Sequence, residues 1–210
     1  GGSAQQIVVN EERWLTNQTL NYTNTFSEDH SLTVLLGLNY EETLRTRLNV
    51  SSTGFLTDGL RNVGAGATPS ILNGDRFPSR LFGLFSRVSY DYKGKYLLEG
   101  SIRRDGSSRF GANNRFGYFW SAAAGWVLSE ESFLEDVDFL DFLSIRASIG
   151  TVGNDRLGTF PSLGLFNIGG FGDYNGESGN VPGQRPENPD VKWEESETLD
   201  IGFKSSFLGG

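Results

Sequence analysis

Apolar side chains recur at every second residue through most of this chain, and that period marks one face of a β-strand. In residues 32–40, Leu32, Val34, Leu36, Leu38 and Tyr40 share a face, with Thr33, Gly37 and Asn39 behind them. Residues 14–26 repeat the pattern, with Trp14, Leu20, Tyr22 and Phe26 backed by Asn17, Thr19, Asn21, Thr23 and Thr25. Residues 27–30 are predicted to turn between these two strands. A second hairpin joins 81–92 to 96–104 through Lys93-Gly94-Lys95. Its apolar side carries Phe82, Leu84, Val88, Tyr90, Tyr92, Tyr96, Leu98 and Ile102, and its polar side Arg87, Ser89, Asp91, Glu99, Ser101 and Arg103. Stretches 118–128, 143–151 and 193–207 follow suit, which brings the expectation to about seven strands.

Composition agrees with an all-β chain, since 13% aromatics and 28 glycines supply strands and turns. A net charge of −8 excludes a nucleic-acid partner, whose phosphates need a basic face. With no cysteine, neither a disulfide framework nor a thiolate metal site is available. No apolar run approaches the roughly 18 residues of a transmembrane helix, and the first residues lack the basic-then-apolar pattern of a signal peptide. A mean hydropathy of −0.34 still allows a membrane barrel. Barrel strands need only about 9–11 residues with alternate side chains apolar, and their average is modest.

The connections are lopsided. Residues 27–30 and 93–95 are tight, whereas 45–80, 105–117 and 153–192 are long and rich in Gly, Asn, Ser and Pro. In an up-and-down antiparallel sheet this alternation collects the long loops at one end, the habit of outer-membrane barrels. Residues 129–142 fall at a short-turn end, and Ser129, Glu130, Glu131, Phe133, Leu134 and Val137 predict a small periplasmic helix capped by Ser129. Phe26, Tyr90, Tyr92 and Tyr96 gather at strand ends, as an interfacial girdle requires. The fold class expected is therefore an antiparallel up-and-down transmembrane β-barrel segment.

Several motifs resemble the SusC/RagA group of TonB-dependent outer-membrane transporters of Bacteroidetes-type bacteria. They are Tyr92-Lys93-Gly94-Lys95-Tyr96-Leu97-Leu98, then Arg103-Arg104-Asp105-Gly106-Ser107-Ser108-Arg109-Phe110-Gly111, Asn114-Arg115-Phe116-Gly117-Tyr118-Phe119 and Gly125-Trp126. Arg146-Ala147-Ser148, Gly153-Asn154, Asn188-Pro189-Asp190-Val191-Lys192-Trp193-Glu194 and Asp200-Ile201-Gly202 agree as well. Phe116, Trp120 and Val152 depart from the group's usual Trp, Pro and Thr, and none removes a functional group. The resemblance is specific from about residue 80 onward and weaker in 14–80. It implies part of a barrel of about 22 strands. The group's plug domain, TonB-contacting segment and signal peptide have no counterpart in residues 1–210, so a partial barrel domain is expected. It also implies import of oligosaccharides, glycans or peptides across the outer membrane, driven through TonB and shared with a SusD-like surface lipoprotein. The outer-membrane lipid is the remaining partner.

Candidate chemistry is sparse, and no enzyme activity, cofactor or metal is expected. The 105–111 loop lacks the spacing of a phosphate cradle. Its structural reading has Gly106 and Gly111 turning, Asp105 bonding nearby backbone, and Arg109 or Arg115 pairing with carboxylates at the rim. Of the adjacent acids Glu41-Glu42, Glu130-Glu131 and Glu194-Glu195, those on strands point to opposite faces and do not cooperate as acid and base. His30, the single histidine, is read as a turn residue. Asp173, Asn175 and Glu177 among glycines have calcium-ligating oxygens, set against a plain loop reading. Phe166, Phe171 and Tyr174 suit stacking on a ligand, set against packing within the loop. A soluble β-sandwich carbohydrate-binding module is the alternative, and it predicts shorter strands without loop asymmetry. A glycan-degrading enzyme would need a converging carboxylate pair.

Overall fold

The structure, a computed structural model, describes residues 2–57, 59, 62–135, 137–156, 166–174, 177–182 and 188–208, with the side chains of 70–72, 166–174 and 177–182 outside that description. Its strands are β1 (Ser3–Phe26), β2 (His30–Thr53), β3 (Thr68–Tyr92), β4 (Tyr96–Ser107), β5 (Phe116–Val127), β6 (Leu140–Asn154), β7 (Phe166–Tyr174), β8 (Glu177–Pro182) and β9 (Glu194–Phe207). Seven form one sheet in the order β1-β2-β3-β4-β5-β6-β9, and β7 pairs with β8 separately. The expected seven-stranded antiparallel sheet is present.

The chain divides into two compact units, Gly1–Thr16 with Glu41–Arg80, and Asn17–Tyr40 with Leu81–Gly210. In the first, the expectation of a loop over 45–80 is wrong: β2 runs to Thr53 and β3 begins at Thr68. Polar side chains join the cross-strand pairing in this unit. Gln5 Nε2 donates to Asn49 Oδ1 at 2.9 Å, and Arg13 meets Glu41 at 2.6 Å. Ser52, nearly buried, donates to the Val63 carbonyl at 2.7 Å and closes the remaining connection.

In the second unit the register across β3, β4, β5, β6 and β9 shifts only between Leu140 and Phe142, where β6 meets β9. Tyr92 faces Tyr96 across the Lys93-Gly94-Lys95 turn, Tyr96 faces Trp126, and Trp126 faces Ile145. Lys93 and Gly94 both have positive φ, the geometry of a turn whose twist matches its flanking strands. The other tight turn places Ser27 and Glu28 in the same region without a glycine. Lys93 ties the two turns together: its amide donates to the Asp29 carbonyl at 2.7 Å, and its ammonium lies 3.4 Å from the Asp29 carboxylate.

Three more expectations need correction. The stretch 129–142 is not a helix; Leu128–Glu130 is one 3-10 turn, followed by further turns bonded from Leu134 N to Glu131 O and Val137 N to Leu134 O. Ser129 caps nothing, and its buried hydroxyl has no partner. The 105–117 loop shrinks to 108–115, because β4 extends to Ser107 and β5 starts at Phe116. Within 153–192 the β7–β8 hairpin forms, where glycine-rich sequence concealed any alternation.

Candidate functional site: the two faces of the wall

Directly opposed strand residues share a face, so the register assigns every side chain. One row runs Tyr90, Leu98, Ala124, Ala147, Ile201, and the next Val88, Gly100, Ala122, Ile149, Leu199. These rows are apolar and open: Leu98, Leu199 and Ile201 are 53%, 64% and 75% exposed, and no layer of the described chain covers them. So large an apolar face has to meet an apolar solvent. The sandwich alternative, which needs those rows buried against a second sheet, is overturned.

The edge of this face at the tight turns carries rings. His30 lies 4.7 Å from Tyr92, Tyr92 6.1 Å from Tyr96, and Tyr96 6.2 Å from Trp126. Their polar tips are satisfied, His30 Nδ1 by the Tyr90 hydroxyl at 2.6 Å, and Tyr96 and Trp126 by donating to Glu131 at 2.6 and 3.0 Å. Amphipathic rings with bonded tips suit the boundary between lipid and water. The hydrogen bond from Tyr96, then that from Trp126, holds the Glu131 carboxyl below its usual range. Asp29 likewise raises the Lys93 ammonium through a hydrogen bond and its charge. His30 opens β2 as a member of this aromatic row, not as the turn residue expected.

The opposite face is wet and internally paired. Arg103 Nε donates to both Asp105 oxygens at 2.7 and 2.6 Å, and its Nη2 to Asn39 at 2.9 Å. Asp105 thus takes a side-chain partner where nearby backbone was expected. Arg87 lies 3.6 Å from Glu99, which also accepts from Ser89 at 3.1 Å. A hollow of about 610 Å³ opens here, with Asp91, Glu99, Arg146 and Asp200 along it and the small Ala123, Gly125 and Gly202 beneath.

Where the loops rise, the 105–111 motif forms a knot. Phe110, Phe119 and Trp193 are buried together, with ring centroids 5.0 and 5.5 Å apart from Trp193. Trp193 Nε1 donates to the Arg115 carbonyl at 3.2 Å. Ser107 donates to the Asp155 carboxylate at 2.9 Å, and Arg109 Nη1 to the Asp155 carbonyl at 3.2 Å. Gly117 and Gly153 are required there, because a Cβ on either would lie 2.6 or 2.0 Å from the Phe119 ring. The knot joins the roots of two loops through residues distant in sequence, which spacing alone did not reveal. The clue available was an aromatic flanked by glycines in an otherwise polar loop.

The remaining candidates do not converge. Glu41 pairs with Arg13 and Glu42 with Arg80, while Glu194 accepts from Asn154 at 3.0 Å. Asn175 lies outside the described residues, as do the side chains of Asp173, Glu177, Phe166, Phe171 and Tyr174.

One oily face, one polar face, rings at the tight-turn edge and long connections opposite define the wall of an outer-membrane β-barrel. Residues 1–210 match the family model described as TonB dependent receptor-like, beta-barrel. TonB-dependent receptor P39 of Formosa agariphila is 36% identical over 199 residues, covering 90% of this chain and 18% of its own length. TonB-dependent receptor SusC of Bacteroides thetaiotaomicron is 36% identical over 134 residues, covering 62% of this chain and 13% of its own. The solved RagAB peptide importer in its closed-closed state superposes with a TM-score of 0.86 at 26% identity, covering 97% of this chain and 22% of that one. The chain belongs to the TonB-dependent receptor β-barrel family, with SusC- and RagA-like relatives along nearly its whole length. Proteins of this family are outer-membrane transporters and not enzymes. The chain spans about a fifth of the lengths of the relatives it matches.

Proposed function

We propose that residues 1–210 supply wall strands of one barrel domain in a TonB-energised importer of oligosaccharides, glycans or peptides. In this reading a SusD-like surface lipoprotein delivers cargo to the mouth formed by the long loops, and a plug domain and further strands complete the transporter. In this reading the stretch takes no part in catalysis and holds no metal or cofactor. Its work is to pair every backbone group while holding lipid on one side and water on the other.

The observation that carries the proposal is the opposition of apolar rows to a paired polar face across the five sheet strands β3, β4, β5, β6 and β9. The likeness to a peptide importer supports the peptide class, and the resemblance of the motifs to the SusC/RagA group supports the wider set of cargoes. The test deletes the full-length gene and measures uptake of labelled oligopeptides and oligosaccharides, with and without an energised inner membrane. A tagged transporter is also isolated to look for a bound surface lipoprotein. Energy-dependent uptake of one class should disappear on deletion; unchanged uptake of both refutes the reading.

A further inference from the structure

The lipid-facing side carries a cation at Arg104. Arg104 stands directly between Leu84 and Tyr118 across the strands, two positions along β4 from the exposed Ile102. Its guanidinium carbon sits 4.0 Å from the Phe116 ring centroid and 5.7 Å from that of Tyr118. The enclosed Nε has no acceptor, and among the described residues no carboxylate lies within salt-bridge distance of this side chain. Elsewhere on the wall Arg13, Arg80, Arg87 and Arg103 all have carboxylate partners.

Depth explains why a cation is tolerated there. Arg104 lies eight residues along β4 from Tyr96, the ring at the tight-turn edge. At about 3.4 Å per residue and a tilt of about 40°, it rises roughly 20 Å across an apolar band of about 25 Å. The guanidinium therefore sits near the edge from which the long loops emerge, at headgroup level of the outer leaflet. Beside it an apolar groove of about 640 Å³ is lined by Leu20, Leu36, Leu38, Leu84 and Ile102. The groove exists because Ser86, opposite Ile102, is small where neighbouring rows carry large side chains.

We propose that Arg104 and this groove hold one phosphate-bearing acyl lipid of the outer leaflet, an acyl chain along the groove and the phosphate on the guanidinium. Stacking on Phe116 fixes the guanidinium plane and presents its N–H edge, the geometry suited to a phosphate. Neither a bare apolar groove nor a lone arginine would choose this ligand; their adjacency at headgroup depth does.

The test uses purified, delipidated full-length transporter and native mass spectrometry. The probes are an acylated glucosamine disaccharide bearing phosphate and the same lipid dephosphorylated. Arg104→Gln should weaken retention of the phosphorylated probe about tenfold, the worth of one charge-assisted hydrogen bond, and leave the dephosphorylated probe unchanged. Ser86→Phe, which fills the groove with a side chain at home in lipid, should weaken both. Equal binding of the phosphorylated probe by Arg104→Gln and the unaltered protein overturns the proposal. So does an unchanged affinity for both probes in Ser86→Phe, which keeps the test decisive if Arg104→Gln does not fold.

Discussion

Ala122 and Ala123 are neighbours in β5 on opposite sides of the wall, and an arginine at each position weighs the two solvents against one another. Ala122 is exposed between Gly100 and Ile149, four residues from the Tyr96–Trp126 ring pair and four from the Arg104–Tyr118 pair. That is the middle of the apolar band, where an arginine facing lipid costs about 2–4 kcal/mol. Ala123 lies between Glu99 and Ser148 on the wet face. An arginine there keeps its hydration and gains a partner in Glu99, for a net effect of about 0–1 kcal/mol in favour of folding. The two variants should differ by about 3 kcal/mol, a factor of about 150 in the folding equilibrium. The assay folds each full-length variant into lipid vesicles and follows urea unfolding by tryptophan fluorescence, with heat-modifiable gel mobility scoring barrel assembly. Equal destabilisation by the two substitutions, or a larger loss from Ala123→Arg, refutes the assignment of lipid to the apolar rows.

Phe110→Ala removes a buried ring at a cost of about 3–5 kcal/mol; amide exchange in 107–116 should quicken a hundredfold or more while 96–104 and 145–149 keep their protection. Arg103→Ala strips the nearly buried Asp105 of both its bonds and should lower the stability of the barrel by about 2–3 kcal/mol in urea titrations. The Glu131 carboxyl is held below its usual range, so its stabilising effect is complete above the ordinary carboxylate pKa and fades as pH falls through the lowered value. Proteolysis of the 128–139 turns should therefore accelerate on acidification below about pH 4, and Glu131→Gln should remove that pH dependence.

The legibility of this fold in sequence followed the solvent on each face. Where one face meets lipid, as at Leu32 to Tyr40 or Leu143 to Ile149, alternation is sharp and each stretch reads as strand. Residues 3–13 and 41–53 are equally extended, yet charged and polar side chains occupy both faces. Such a strand is held by partners such as Asn49 for Gln5 and Glu41 for Arg13, and nothing in either stretch alone announces them. The helix predicted at 129–142 failed for a related reason. Glu131, counted among the helix residues, is taken by Tyr96 and Trp126, and Lys95 donates to the Glu130 carbonyl. Tertiary partners on the neighbouring hairpin use the groups on which a helix start would depend.

The candidate site divides along the same line. The aromatic edge was visible because Tyr90, Tyr92 and Tyr96 cluster in sequence around one turn. Their continuation to His30 and Trp126 required the register. Arg104 was the least legible of all. In the sequence it sits beside Arg103 in a run of polar residues, and only the pleat separates them: Arg103 turns to Asp105 and Asn39 in water, Arg104 to Phe116 and Tyr118 against lipid. Two adjacent cations of one type thus acquire opposite tasks from a single alternation of the backbone. A strand sequence names its side chains, but the solvent each one meets is fixed by what its neighbours across the sheet present, and that is where the function of a barrel wall resides.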